Sequence, residues 1–365
     1  MKVGLDVLLE DERELLAGGG RVALVSHQAA VGRCGSTAAQ LLRRVLGDRL
    51  VALFGPEHGY FGVAGPGEET ADGVHPDWDI PIYSLYGATR KPTPAMLSGI
   101  DTMVVDLQDL GVRCYTYLAT LHLVLQACGE CGVRVIVADR PVPLHGTVDG
   151  PGLDPAFTSF VAPVPLPMVY GMTPGETARW LLDKQFVDAD VTVVELRETN
   201  TPAYPEFIPP SPGIRTAESA VAYAATVFTE AIPAIDCGRG TALAFRVLGA
   251  PWIRAEAFCE ALAGEPFEGV AFSPHRYAAS GGLYDGQPLD GVRLTVTDKA
   301  VFKPVRTSLR ILRVLQSLYG ADTLWESPGI RPEWFDKLYG NRETRERLRQ
   351  GASCAELFAG FPSCV

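Results

Sequence analysis

The chain has 365 residues, 47% apolar and 21% charged, a soluble globular composition with ample material for a large core. Lysine and arginine number 32 against 43 acidic residues, a formal charge of −11, so a duplex nucleic-acid partner, which requires a basic face, is not expected. No apolar run approaches the roughly 18 residues of a membrane span, and the length suggests two domains.

In chain order, the N-terminus carries charges at Asp6 and from Glu10 to Glu14 instead of a basic start and an unbroken apolar stretch. No secretory signal is read there, and a cytoplasmic location is expected. Gly18-Gly19-Gly20 leads into an apolar strand over residues 21–25, followed by a helix over 37–46 and a strand over 50–54. A glycine-rich stretch runs to about residue 80. A strand is predicted over 102–105, then a helix from about 115 to 131 with Leu118, Leu121, Val124 and Leu125 at helical spacing, then a strand over 133–138. Thr173-Pro174-Gly175-Glu176 predicts a helix start, with a threonine cap, proline at the first position and glutamate at the third. A strand over 191–194 follows.

Continuously apolar strands alternating with helices predict an α/β fold: a Rossmann-like, mostly parallel sheet covered on both faces. Pro202, Pro205, Pro209, Pro210 and Pro212 then mark a boundary. The expected division is a Rossmann-like catalytic domain over 1–205 and a smaller auxiliary α+β domain over 206–365. The latter has helices near 217–228, 305–319 and 344–349 and a strand over 292–296. The eight cysteines are expected to be reduced and mostly buried. Cys128 and Cys131 form a C-x-x-C, but no second pair is spaced for zinc, and the pair follows a helix instead of opening one.

Polar residues gather where predicted strands end. These are Ser26-His27-Gln28, Gly55-Pro56-Glu57-His58-Gly59, Asp106-Leu107-Gln108-Asp109 and Asp139-Arg140-Pro141. Ligands of open parallel sheets bind outside the carboxyl ends of the strands, so this convergence predicts a site. The first strand-to-helix turn lacks G-x-G-x-x-G, and neither a P-loop nor a G-x-S-x-G elbow occurs, so no nucleotide cofactor and no serine esterase is expected. Glu57, between glycines that permit a tight turn, could be a general acid; alternatively it pairs with Arg113 or Arg140 and shapes the loop. His58 could orient Glu57, bind a ligand or be structural. Asp106 and Asp109 could serve as metal ligands, though no histidines complete a set. Tyr115 and Tyr117 offer phenols and flat faces for a sugar ring, or simply pack the helix start. Arg239, between Gly238 and Gly240, either carries charge to a ligand or forms an ion pair.

Further segments join these in order. They are LFGPEHG (53–59), YSLYG (83–87), KPT (91–93), DLQDLGVRCYTYLATL (106–121), ADRPVPLHG (138–146) and VDGPGLDPAFTSFV (148–161). YGMTPGE (170–176), PPSPGIRT (209–216), CGRGT (237–241), LGAPWI (248–253) and FDKLYGN (335–341) follow. Over nearly its full length the chain resembles the exo-acting β-N-acetylmuramidases, a family of peptidoglycan hexosaminidases. The resemblance implies a Rossmann-like catalytic domain, a C-terminal auxiliary domain, and a cleft that releases N-acetylmuramic acid from the non-reducing end of cell-wall fragments. It implies no metal and no nucleotide. Glu57 corresponds to the family's catalytic glutamate, and Tyr115 and Tyr117 to tyrosines it retains.

The chain departs from the family pattern at Phe61 (usually Arg), Tyr170 (usually His), Val142 (usually Asn) and Cys237 (usually Glu), which bears on the sugar accepted. The expected site is therefore Glu57 with Tyr115, Asp106 or Asp109 for catalysis. His27, His58, Gln108, Arg113, Tyr117, Arg140, Tyr170 and Arg239 would bind an amino-sugar or muropeptide substrate. An arginine among Arg113, Arg140 and Arg239 would meet the lactyl carboxylate of muramic acid. A non-catalytic muropeptide-binding protein and a metal-dependent hydrolase stand as alternatives, and homo-oligomerisation stays open.

Overall fold

Runs of aliphatic residues become the central strands, and their order decides which polar side chains can meet. The computed structural model describes residues 1–198, 207–362 and 364. Its first half contains α1 (Gly4–Glu10), β1 (Val22–Ser26), α2 (Ala38–Leu46), β2 (Leu50–Gly55), β3 (Gly73–Val74), β4 (Pro81–Ser84) and α3 (Pro94–Leu97). Then come β5 (Thr102–Asp106), α4 (Tyr117–Cys131), β6 (Arg134–Ala138), α5 (Pro174–Asp183) and β7 (Val191–Val194). Among the described residues these strands form a seven-stranded sheet in the order β3-β4-β2-β1-β5-β6-β7. All neighbours are parallel except β3 on β4. The mostly parallel α/β architecture read from the sequence is the one the chain adopts.

β1 is buried along its whole length, as helices covering both faces of a parallel sheet require. It lies between β2 and β5, with Ser26 level with Asp106. The chain leaves β1 towards β2 on one side and later returns as β5 on the other. The carboxyl ends of β1 and β5 thus flank the switch point where such sheets open a crevice.

The helix starts follow their local chemistry. Thr37 forms a capping box with Gln40, and Thr173 forms one with Glu176 behind Pro174. α1, which the sequence does not announce, is short and starts at Val3 without a side-chain cap. It buries Leu5, Val7 and Leu8 against Leu24, Leu42 and Ile136. A Cβ on Gly4 would lie 2.2 Å from the Asp139 nitrogen and 2.4 Å from the Val194 oxygen, so only glycine admits this approach.

The chain divides into two compact units: residues 1–111, 115–145 and 172–212 in one, and 112–114, 146–171 and 213–365 in the other. The expected boundary at 205/206, with Pro202 and Pro205, lies outside the described residues. The second unit is the smaller-sheet α+β body anticipated from sequence. It contains α6 (Ala217–Thr226), β8 (Val247–Ala250), α7 (Ala255–Ala263), β9 (Val270–Ala278), β10 (Pro288–Val296) and α8 (Pro304–Tyr319). Its three strands are ordered β8-β10-β9 and antiparallel. Phe228, Phe258, Phe302 and Phe335 are fully buried in it. β9 was missed because it is an edge strand that is largely open to solvent, with Pro274 in its middle and Ser273, His275 and Arg276 breaking up its apolar residues.

The cysteines differ from expectation. All eight are free, yet only Cys114, Cys128 and Cys237 are buried, while Cys34, Cys131 and Cys364 are exposed. Cys128 faces the core side of α4, and Cys131 lies in the helix's last turn, where solvent reaches it.

Candidate active site

Glu57 follows β2 in a loop that glycine makes feasible. A Cβ on Gly55 would lie 2.3 Å from the Tyr60 nitrogen, so the chain can fold back over it only at a residue without one. His58 (φ 74°) and Gly59 (φ 76°) then take left-handed backbone, an uncommon state for a histidine and a place where local strain is stored. The His58 ring secures the curl through Nδ1 and the Ala64 carbonyl, 2.9 Å apart. Within this loop Glu57 is 8% exposed, and both its oxygens are held. The Gly67 N–H donates to Oε1 (2.7 Å) and the Thr116 hydroxyl to Oε2 (2.6 Å). Burial, reinforced by the negative charge of Glu57, pushes the Tyr86 phenol up from its ordinary value. The guanidinium carbon of Arg90 sits 3.5 Å from the centre of the Tyr86 ring, a cation–π contact.

His27, just beyond β1, is buried and fully committed. The Gln108 N–H donates to its Nε2 (3.0 Å), and Nδ1 lies 3.3 Å from the Tyr117 hydroxyl, which donates to the Pro210 carbonyl (3.0 Å). A backbone N–H can only donate, so Nε2 carries the lone pair and the ring proton sits on Nδ1. Burial, aided by the Arg140 charge, pushes the imidazole down to about 3. A histidine that stays neutral in the fold but protonates near 6.5 when unfolded adds stability above that pH. The contribution is lost as pH falls from 6.5 towards 3 and amounts in full to on the order of 5 kcal/mol. His27→Gln should therefore flatten the loss of unfolding free energy between pH 6.5 and 4.5 in urea titrations; an unchanged slope would contradict the burial argument.

Of the carboxylates at the strand ends, two serve the fold. Asp106, the last residue of β5, accepts from Nε and Nη2 of Arg140 (the latter at 2.9 Å), and Arg140 Nη2 also donates to the Val31 carbonyl. Both side chains are essentially inaccessible. Asp139 holds the start of α5, accepting from the Gly175 N–H and the Thr173 hydroxyl. Asp109 is buried and accepts from the Leu110 N–H (2.6 Å). Its charge helps to raise both Tyr115 and Tyr117, whose phenols are pushed up mainly by burial. The two rings meet edge to face with centroids 4.8 Å apart. Gln108 donates its side-chain amide to the Pro141 carbonyl (2.7 Å).

Glu57, His27, His58, Asp106, Gln108, Asp109, Tyr115, Tyr117 and Arg140 thus belong to the first unit, and Arg113, Tyr170 and Arg239 to the second. Arg113 is fully buried and donates to the carbonyls of Pro151, Leu166 and Leu338; burial pulls it down to about 10. Tyr170 is buried. Arg239 pairs with Glu230 and lies 4.9 Å from the centre of the Phe245 ring. Among the departing positions, Val142 and Cys237 are buried, whereas Phe61 is 52% exposed. Sequence reasoning passed over Thr116, the Gly67 amide and Tyr86. The first lies between two singled-out tyrosines, and Tyr86 lies within YSLYG, so position was the available signal.

Residues 22–218 match the family model described as exo-beta-N-acetylmuramidase NamZ, N-terminal, and residues 221–363 match its C-terminal counterpart. The chain is 36% identical over 372 residues to the peptidoglycan beta-N-acetylmuramidase NamZ of Bacillus subtilis (strain 168), covering 99% of this chain and 87% of that protein. Crystal structures of two DUF1343 family proteins from Bacteroides fragilis NCTC 9343 share the fold. One has a TM-score of 0.88 at 28% identity, covering 100% of this chain and 99% of that one. The other has a TM-score of 0.77 at 26% identity, covering 99% and 94%. With both halves matched, and with a relative of this similarity along almost the whole length, the chain belongs to the exo-beta-N-acetylmuramidase NamZ family.

Proposed function

We propose that this chain is an exo-acting glycoside hydrolase that releases N-acetylmuramic acid, or a closely related amino sugar, from the non-reducing end of peptidoglycan fragments. The observation that carries the reading is the placement of Glu57 in a chain of this family. A buried carboxylate beyond a central parallel strand is held at both oxygens by groups from residues 67 and 116. A carboxyl group fixed in this way is suited to protonate the glycosidic oxygen as the bond to the anomeric carbon breaks. Asp106 is assigned to the fold through Arg140. Asp109, beside Tyr115 and Tyr117, is the carboxylate assigned to assist at the anomeric centre or to activate water. His27, His58, Gln108 and Tyr117 are assigned to building the floor of the site.

Among the described residues no helix is long and apolar enough to cross a membrane. We assign the protein to the cytoplasm, acting on imported wall fragments; recovery from culture medium or periplasm would overturn that placement. The function is tested with two disaccharides, one with β-linked N-acetylmuramic acid and one with β-linked N-acetylglucosamine at the non-reducing end. Release of N-acetylmuramic acid from the first and little from the second is expected. Binding of both without turnover would instead favour a muropeptide-binding protein.

A further inference from the structure

The second unit contains a cavity of its own. The loop joining β9 to β10 closes on itself: the Ala279 N–H donates to the Gln287 carbonyl (2.9 Å) and the Gly286 N–H to the Ala279 carbonyl (3.0 Å). It sets Leu283, Tyr284 and Gln287 along a cavity of about 520 Å³. Trp252, Asp322 in the helix α9 (Ala321–Trp325), and Glu326 just beyond that helix line it as well. The size falls within the about 300–1,000 Å³ of small-molecule sites.

The aromatic wall is fixed before any ligand arrives. The Tyr284 hydroxyl donates to the Ala234 carbonyl (3.1 Å). Trp252 meets Tyr319 edge to face with centroids 5.1 Å apart, and the Tyr319 hydroxyl accepts from the Arg254 N–H (3.0 Å). Trp252 and Tyr284 are nevertheless only half-buried, and Leu283 is 49% exposed. Rings held by their neighbours but open on one side offer flat faces at low entropic cost.

The polar part of the lining narrows the ligand. Asp322 is exposed and meets no cation among the described residues, while Glu326 already has Arg349 at 2.8 Å. No lysine, arginine or histidine lines the cavity among those residues. The lactyl carboxylate of a muramic acid residue would therefore enter beside two carboxylates with no countercharge to meet it. An uncharged hexosamine suits the lining better. Its C–H face can lie on an aromatic ring, its hydroxyls can donate to Asp322, and its acetamide can pair with the Gln287 amide, which both donates and accepts.

We propose that this cavity is a carbohydrate-binding site of the second unit that holds an N-acetylglucosamine residue of the glycan, with Trp252 as its platform and Asp322 as its hydroxyl acceptor. The choice of sugar rests on the peptidoglycan reading above; the site itself rests on the cavity and its lining.

The test compares wild type, Trp252→Ala, Asp322→Ala and, as a control at an exposed position that does not line the cavity, Glu260→Ala. Kd for the β-1,4-linked disaccharide of N-acetylglucosamine, for free N-acetylmuramic acid and for glucosamine with its ammonium group is measured by calorimetry. Rates on a chromogenic β-N-acetylmuramide are measured on the same preparations. Asp322→Ala should raise Kd for the disaccharide about tenfold or more, the size of one lost hydrogen bond to a charged group, and Trp252→Ala at least as much. Affinity for N-acetylmuramic acid, and kcat and KM on the muramide, should stay as in wild type, and Glu260→Ala should change nothing. No binding of the disaccharide to wild type, or binding unaffected by Asp322→Ala, would overturn the proposal. So would tighter binding of glucosamine than of the acetylated sugar, which would make the cavity a cation site. Loss of muramide turnover in folded Asp322→Ala would overturn it too, by placing the cavity in the reaction itself. Asp322 is exposed, so its variant decides the matter even if Trp252→Ala fails to fold. If wild type turns over no muramide, the hydrolase reading fails, while the calorimetric comparison still decides the role of the cavity.

Discussion

Glu57→Gln should lower kcat on a β-N-acetylmuramide by about a thousandfold, within the range lost when a positioned acid is removed, and leave KM little changed. The substitution suits this site sterically. The Gly67 N–H can only donate, so the new amide oxygen would face it, while the new NH₂ would donate to the Thr116 hydroxyl, which can also accept. Loop and backbone are thereby preserved, and unfolding free energy should fall by no more than about 1–3 kcal/mol, the cost of the Thr116 hydroxyl proton losing its acceptor. Circular dichroism melts and initial rates on one preparation check both halves. Full activity of the variant, alongside an active wild type, would remove Glu57 from the reaction.

Asp106→Asn should be the most destabilising single change at the strand ends. It leaves Arg140 buried with its countercharge gone, and breaking a buried pair in this way costs about 3–5 kcal/mol. Arg140→Met should cost a similar amount by orphaning Asp106. Combining Arg140→Met with Asp106→Asn should recover a large part of the loss, since neither charge remains, giving a coupling energy of about 2 kcal/mol or more. Urea unfolding of the four proteins measures this directly. The same series separates a structural from a catalytic carboxylate. If Asp106 were the second reacting group, Asp106→Asn would abolish turnover with stability near wild type.

The parallel sheet was legible in the sequence because β1, β2, β5 and β6 are largely aliphatic runs, and α5 announces itself by its threonine cap and proline. β9 was not, since an edge strand open to water carries no alternation that separates it from a loop. At the site, glycine-flanked Glu57 stood out from local chemistry alone. What surrounds it did not, because its partners are non-local: Thr116 lies 59 positions away, and the Asp106–Arg140 pair spans 34. Residue type told that Asp106, Arg140 and Arg113 carry charge. Only the register of β1 on β5 and the packing around Arg113 told that these charges are spent inside the protein.

The interleaving of the two units has a consequence for how such a chain can be inherited and expressed. Asp149 belongs by position to the first half, yet its carboxylate accepts from the backbone N–H groups of Val305 (2.7 Å) and Arg306 (3.1 Å). Arg113 likewise reaches the Leu338 carbonyl. A nascent chain halted near residue 212 would hold both buried charges with those acceptors and donors not yet synthesised. The second half is therefore no detachable accessory: gene fission or truncation at the proline cluster would strand ionic groups that completion of translation alone can satisfy.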